Sequence, residues 1–165
     1  MHGEMNVMKA IFYTILNVAG KTKDNIKARM DLADICDRLD LHLLDMGGGK
    51  YKMAKASYTL DNTQISWVCE WVSKLKFPDG YASNLSKCVD VQSKKWKGLK
   101  SHDWHVFMQR LLPLVFKKLL PDPINDVLTQ LSNFFRDLCS RTICKKDMKI
   151  LETNIILILC LSNNF

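Results

Sequence analysis

His102, Asp103, His105 and Arg110 fall together at the start of one amphipathic stretch, the densest grouping of chemically capable side chains in the sequence. His102 and His105 are separated by three positions, which puts them on one helix face. With Asp103 they could hold a metal or pass a proton. The same residues also have a purely structural use. Ser101 is a credible helix N-cap, and Asp103 in the first turn favours the positive end of the helix dipole, leaving the histidines to pack or hydrogen-bond locally.

A second group is basic. Lys87, Lys94, Lys95, Lys97 and Lys100 surround Trp96. Lysines neutralise phosphates and release counterions, and an exposed indole stacks on a base or lies along a sugar. The alternative is a solvated loop that Trp96 anchors to the core. No helix-turn-helix or zinc-finger spacing accompanies the lysines, so sequence-specific readout is not expected. Gly47, Gly48 and Gly49 read as a turn, because the spacing that makes a phosphate-binding P-loop is missing. The six cysteines, Cys36, Cys69, Cys88, Cys139, Cys144 and Cys160, are scattered among apolar positions and read as reduced thiols. Cys139 and Cys144 have no second paired cluster, so no metal site is expected from spacing.

These residues need elements to position them. A first helix is expected over 5–18, with Val7, Met8, Ile11, Ile15 and Val18 near one stripe, and a second over 22–39. Between 40 and 60 the pattern weakens to a loop or short hairpin. Asp61 followed by Gln64 forms a capping box that starts a third helix, ended by Pro78-Asp79-Gly80. Residues 81–100 read as irregular. A helix should begin near His102 and be bent or split at Pro113. Pro121-Asp122-Pro123 is a break, with Asp122 as N-cap of a helix whose stripe is Ile124, Val127, Leu128, Leu131, Phe134, Phe135 and Leu138. A last helix spans 146–161. The expected fold class is mainly α, a bundle of five or six helices with a long irregular middle segment, and residues 1–165 form one region.

Composition sets outer bounds. The chain has 165 residues, 47% of them hydrophobic and 25% charged, enough for one buried core and too apolar for disorder. Its formal charge is +7, and residues 50–100 hold ten Lys against four Asp or Glu, which places +6 of the total there. Secretion is not expected: Ala10–Ala19 imitates a short secretory core, but Glu4 precedes it and upstream positive charge is weak. Ile155–Leu161 is too short to span a bilayer. It is a buried helix end, or an exposed aggregation hazard if its partner is missing.

The block Gly98–Pro113, GLKSHDWHVFMQRLLP, resembles a block of plant CACTA-type (En/Spm-like) transposases, with Trp104 in the usual cysteine position. Further similar blocks follow in the family's order. Upstream are Gly20–Leu32, Leu41–Leu43 and Lys76–Asn84. Downstream are Leu119–Pro121, Asn133–Arg136, Leu138–Ser140 and Ile158–Cys160. The resemblance covers nearly the whole chain. It implies the helical insertion of a transposase with an RNase H-like catalytic core, located between the second and last catalytic acids and including the start of a plant transposase-associated domain of unknown function.

In such a core, separated carboxylates bind two magnesium or manganese ions that promote attack on a DNA phosphodiester. His2, Glu4, Asn6 and Val7 resemble the family's D-x-M-H-x-E-K-N-V segment, with Gly3 and Met5 departing from it. On that alignment the second catalytic Asp precedes the chain, and the Pro-Phe-Glu-Arg region that supplies the final acid follows it. The expectation is therefore a catalytically incomplete transposase fragment with no cofactor or metal of its own, which binds DNA or other transposase subunits and no small-molecule substrate or membrane. A nuclear location is implied by the resemblance, a cytoplasmic one otherwise. A domesticated protein-interaction module and a gene remnant are the competing readings.

Overall fold

The structure, a computed structural model, describes residues 2–35, 37–78 and 85–162. Its described residues are mainly α-helical, with six helices when the contiguous α4, π turn and α5 are counted as one, and a central irregular segment that carries two small β-hairpins. Helix α1 spans His2–Ile15 and α2 Ile26–Ile35; a 3-10 turn, Leu39–Leu41, leads into the hairpin β1 (Leu43–Asp45) and β2 (Tyr51–Met53). Helix α3 is Asn62–Ser73, followed by a 3-10 turn at Leu85–Cys88 and a second hairpin, β3 (Val89–Asp90) and β4 (Lys95–Trp96). Ser101–Val106 (α4) runs through a π-helical turn, Phe107–Leu111, into α5 (Leu112–Val115); α6 (Asp122–Leu138) and α7 (Lys145–Ser162) complete the order.

Local chemistry explains several of these boundaries. Asp61 accepts hydrogen bonds from the Thr63 and Gln64 amides while the Gln64 side chain accepts from the Asp61 amide, closing the expected capping box. Gly47, Gly48 and Gly49 all have positive φ, a conformation that side chains resist, and they turn β1 back on β2 in antiparallel register. Pro113 does interrupt its helix. It lacks an amide and its ring crowds the carbonyl four residues back, so the backbone widens just before it and the Leu112 amide reaches the Phe107 carbonyl. Only Pro78 of the expected Pro78–Gly80 turn lies within the described residues.

The α4 start departs from the sequence expectation. The helix begins at Ser101 with Lys100 as N-cap, and Asp103 accepts from the Lys100 amide at 2.7 Å. The Ser101 hydroxyl instead meets Met5 Sδ at 3.3 Å. At the start of α6, Pro121 occupies the N-cap position expected for Asp122.

The core gathers on Phe12, which is fully buried. Its ring makes edge-to-face contacts with Trp96 at 4.8 Å, Phe107 at 5.2 Å and Trp104 at 5.4 Å between centroids. These contacts join α1 to the second hairpin, to α4 and to the π turn, each ring adding its buried apolar area and a favourable quadrupole geometry. Helix α6 packs against α5, the π turn and α7. Between Ile155 and Ser162 the two sequence alternatives are mixed: Ile158 is buried, while Ile156, Leu157 and Leu159 are exposed.

A polar network lies at the entry to α2. Arg29, buried, forms a two-pronged ion pair with Asp24, both contacts at 2.7 Å, and the Tyr58 hydroxyl donates to Asp24 at 3.0 Å. Burial alone would raise the Asp24 carboxyl pKa, but hydrogen bonds from Arg29 and Tyr58 outweigh it and hold that pKa below its ordinary value. The Tyr58 phenol is pushed up to about 12, first by burial and then by the Asp24 charge.

Candidate functional site

The three residues of the sequence cluster do not act together. Asp103 is buried and turns back to the Lys100 amide, which is the structural use expected for it. His102 is exposed, its ring stacked 6.1 Å from that of His105. His105 points instead to α1, where its Nδ1 lies 2.8 Å from Glu4 Oε2. His2, the residue carried by the resemblance, is exposed at the start of α1.

Glu4 is the centre of a different group. Its side chain is only 2% exposed, and a buried carboxylate requires partners for both oxygens. Oε1 accepts from the Gln109 amide at 3.0 Å, and Oε2 faces both His105 Nδ1 and, at 3.7 Å, the Cys139 thiol. Gln109 also donates to the Phe135 carbonyl at 3.2 Å, tying the π turn to the end of α6. Burial, then the neighbouring Glu4 charge, pushes the Cys139 thiol pKa above its ordinary value.

One ligand atom each from Glu4, His105 and Cys139 lies within 4.8 Å of the others. Carboxylate, imidazole and thiol together form a donor set that binds divalent transition metals. This arrangement overturns the expectation that the chain has no metal or cofactor site. The sequence reading weighed Cys139 only against Cys144 and His105 only against its helical neighbours. The three residues come from α1, α4 and the end of α6, so spacing along the chain gave no signal. Cys139 and Cys144 are both exposed, and neither they nor Cys69 and Cys160 are bridged.

The basic segment gives a second site. Asp90 accepts from the Gln92 and Ser93 amides and, at 2.6 Å, from the Ser93 hydroxyl, which shapes the turn between β3 and β4. The Ser93 hydrogen bonds hold the Asp90 carboxyl pKa below its usual value. Along β4 the side chains alternate, so Trp96 turns inward while Lys95 is exposed, as is Lys97 just beyond the strand. Trp96, 7% exposed, is packed edge-on to Phe12. That burial rules out the base-stacking reading and matches the anchoring alternative.

Lys94, at positive φ, spends its ammonium on the Asn62 carbonyl at 3.0 Å. Lys94, Lys95 and Lys97 line a cleft of about 280 Å³ with Lys21 and Tyr13, the Lys21 ammonium standing 4.6 Å from the Tyr13 ring centroid. Lys87 and Lys100 are exposed but are not among the residues lining it. Lys21 gives no signal in the sequence because it follows α1, more than sixty positions before the lysine segment.

A further cavity is apolar. It measures about 450 Å³, lies between α1, α6 and α7, and is lined by Val7, Ile11, Leu128, Leu131, Ile155 and Ile158 among others. Among the described residues, no helix is long and apolar enough to cross a membrane. Comparison of the chain with protein-family models, curated proteins and solved structures gives no match.

Proposed function

We propose that this chain is the helical insertion of a CACTA-type transposase-like protein, and that it contacts nucleic-acid phosphates through the cleft formed by Lys21, Lys94, Lys95 and Lys97. The first half rests on the ordered sequence blocks from Gly20 to Cys160. The second rests on one observation: four lysines from two distant segments line the same cleft. Lys95 and Lys97 are exposed beside it, and lysines carried around one cleft attract the regularly spaced anions of a phosphate backbone. Trp96 contributes by fixing the hairpin that presents Lys95 and Lys97, and takes no part in base stacking. Recognition is of backbone and shape.

The magnesium or manganese pair of the parent reaction needs several hard oxygen ligands. Glu4 is the single carboxylate in the candidate metal cluster, and a thiol and an imidazole complete it. This donor set does not fit that pair, and no cleavage or strand-transfer step is assigned to these residues. The direct test is duplex-DNA binding by wild type and by Lys95→Glu/Lys97→Glu, with Lys145→Glu/Lys146→Glu on α7 as a control of equal charge change. The cleft variant loses binding and the control retains most of it if the reading is right.

A second reading, docking to another protein subunit, is favoured by the apolar strip on α7. Ile156 is 61% exposed and Leu159 57% exposed, beside the large apolar cavity, and contiguous apolar surface of this kind marks interaction sites.

A further inference from the structure

We propose that Glu4, His105 and Cys139 bind one zinc-class divalent ion that clasps α1, α4 and the end of α6. Tetrahedral zinc, with bonds of about 2.0–2.1 Å to nitrogen and oxygen and about 2.3 Å to sulfur, sets ligand atoms roughly 3.3–3.6 Å apart. Here the carboxylate oxygen and the sulfur are 3.7 Å apart and the imidazole nitrogen and the same oxygen 2.8 Å. The three ligand atoms all lie within 4.8 Å of one another. Shifts on the order of 1 Å or less bring them to the tetrahedral spacing.

The surroundings are arranged for it. Gln109 holds Glu4 Oε1 and so aims Oε2 at the other two donors, the outer-shell role that orients ligating carboxylates. His105 is 26% exposed and Cys139 is exposed, which gives an ion a path in and leaves the fourth position to water. On binding, the Cys139 thiol gives up its proton to solvent and the imidazole binds through Nδ1. Thiolate and imidazole favour zinc over magnesium or calcium. This inference is independent of the phosphate-contact reading, because its residues lie outside the basic cleft.

The test uses the full chain in metal-free buffer with zinc alone in competition with a chromophoric chelator, and cobalt as the spectroscopic probe. The expected result is one equivalent bound per chain and a thiolate-to-cobalt charge-transfer band. Cys139→Ser abolishes that band and weakens zinc binding at least roughly tenfold, since even outer-shell partners act on that scale. His105→Gln weakens binding to a similar degree, and Cys144→Ser leaves both readouts unchanged. Glu4→Gln alters a buried group and can fail to fold, so the exposed Cys139 carries the test. A wild-type chain, folded by circular dichroism, that binds no equivalent overturns the proposal. So does a cobalt band that survives Cys139→Ser or disappears with Cys144→Ser.

Discussion

His105 Nδ1 lies 2.8 Å from Glu4 Oε2, although the two residues are 101 positions apart in the chain. The contact joins α4 to the first turn of α1 and gives the buried carboxylate one of its partners. Without metal, His105→Ala leaves Glu4 Oε2 with only the weak Cys139 thiol donor. We expect a loss of about 1–3 kcal/mol, the cost of under-satisfying a buried polar group. Urea unfolding in the presence of chelator measures it. Adding Glu4→Gln to His105→Ala should cost less than the sum of the two single changes, because they break the same contact.

Trp96 and its neighbours should separate stability from binding. Trp96→Ala removes a ring packed on Phe12 and Phe107 and is expected to cost about 3–5 kcal/mol. Lys95→Ala and Lys97→Ala, the exposed neighbours on either side of Trp96, should change stability by no more than about 0.5 kcal/mol. Thermal unfolding of the three variants distinguishes an anchoring indole from an exposed one.

The Asp24–Arg29–Tyr58 network predicts opposite behaviour at the two ends of the pH scale. Folding lowers the Asp24 pKa, so its contribution is present above the unfolded carboxyl value near 4 and is lost as pH falls through the lower folded value. Folding raises the Tyr58 pKa to about 12. Its contribution is intact below the unfolded value near 10 and is lost as pH rises from there toward the folded value. Tyr58→Phe should remove the alkaline loss between those values that Tyr58 causes, as read from denaturation midpoints across pH.

The legible parts of this fold were those whose signals are local. The Asp61–Gln64 capping box, the glycine turn at 47–49 and the helix break at Pro113 depend on neighbouring residues, and each occurs where the sequence places it. The β3–β4 hairpin was not read. Its strands have two residues each and its turn depends on Asp90 side-chain contacts within a stretch whose composition reads as loop. The Glu4–His105–Cys139 group was illegible for another reason: it exists only once α1, α4 and α6 have packed. In the basic segment Lys87, Lys95, Lys97 and Lys100 are exposed while Lys94 is half-buried, and the inward turn of Trp96 depends on strand alternation that an irregular reading lacks.

Helix α7 presents apolar side chains on two sides, since Leu151 and Ile158 are buried while Ile150, Ile156 and Leu159 are exposed. Ile156→Glu/Leu159→Glu should therefore reduce self-association at high protein concentration and change stability by only about 0.5 kcal/mol. Sedimentation velocity of wild type and variant reads the first, and urea unfolding the second.

The phosphate-contact reading is tested most directly by the salt dependence of duplex-DNA binding. With two to four of Lys21, Lys94, Lys95 and Lys97 engaged, the logarithm of the binding constant should fall against the logarithm of salt concentration with a slope of about −2 to −4, and Lys95→Ala/Lys97→Ala should make that slope shallower by about 2. Binding with no salt dependence, or a slope unchanged in the double variant of a folded chain, would contradict the assignment of this cleft to nucleic-acid phosphate.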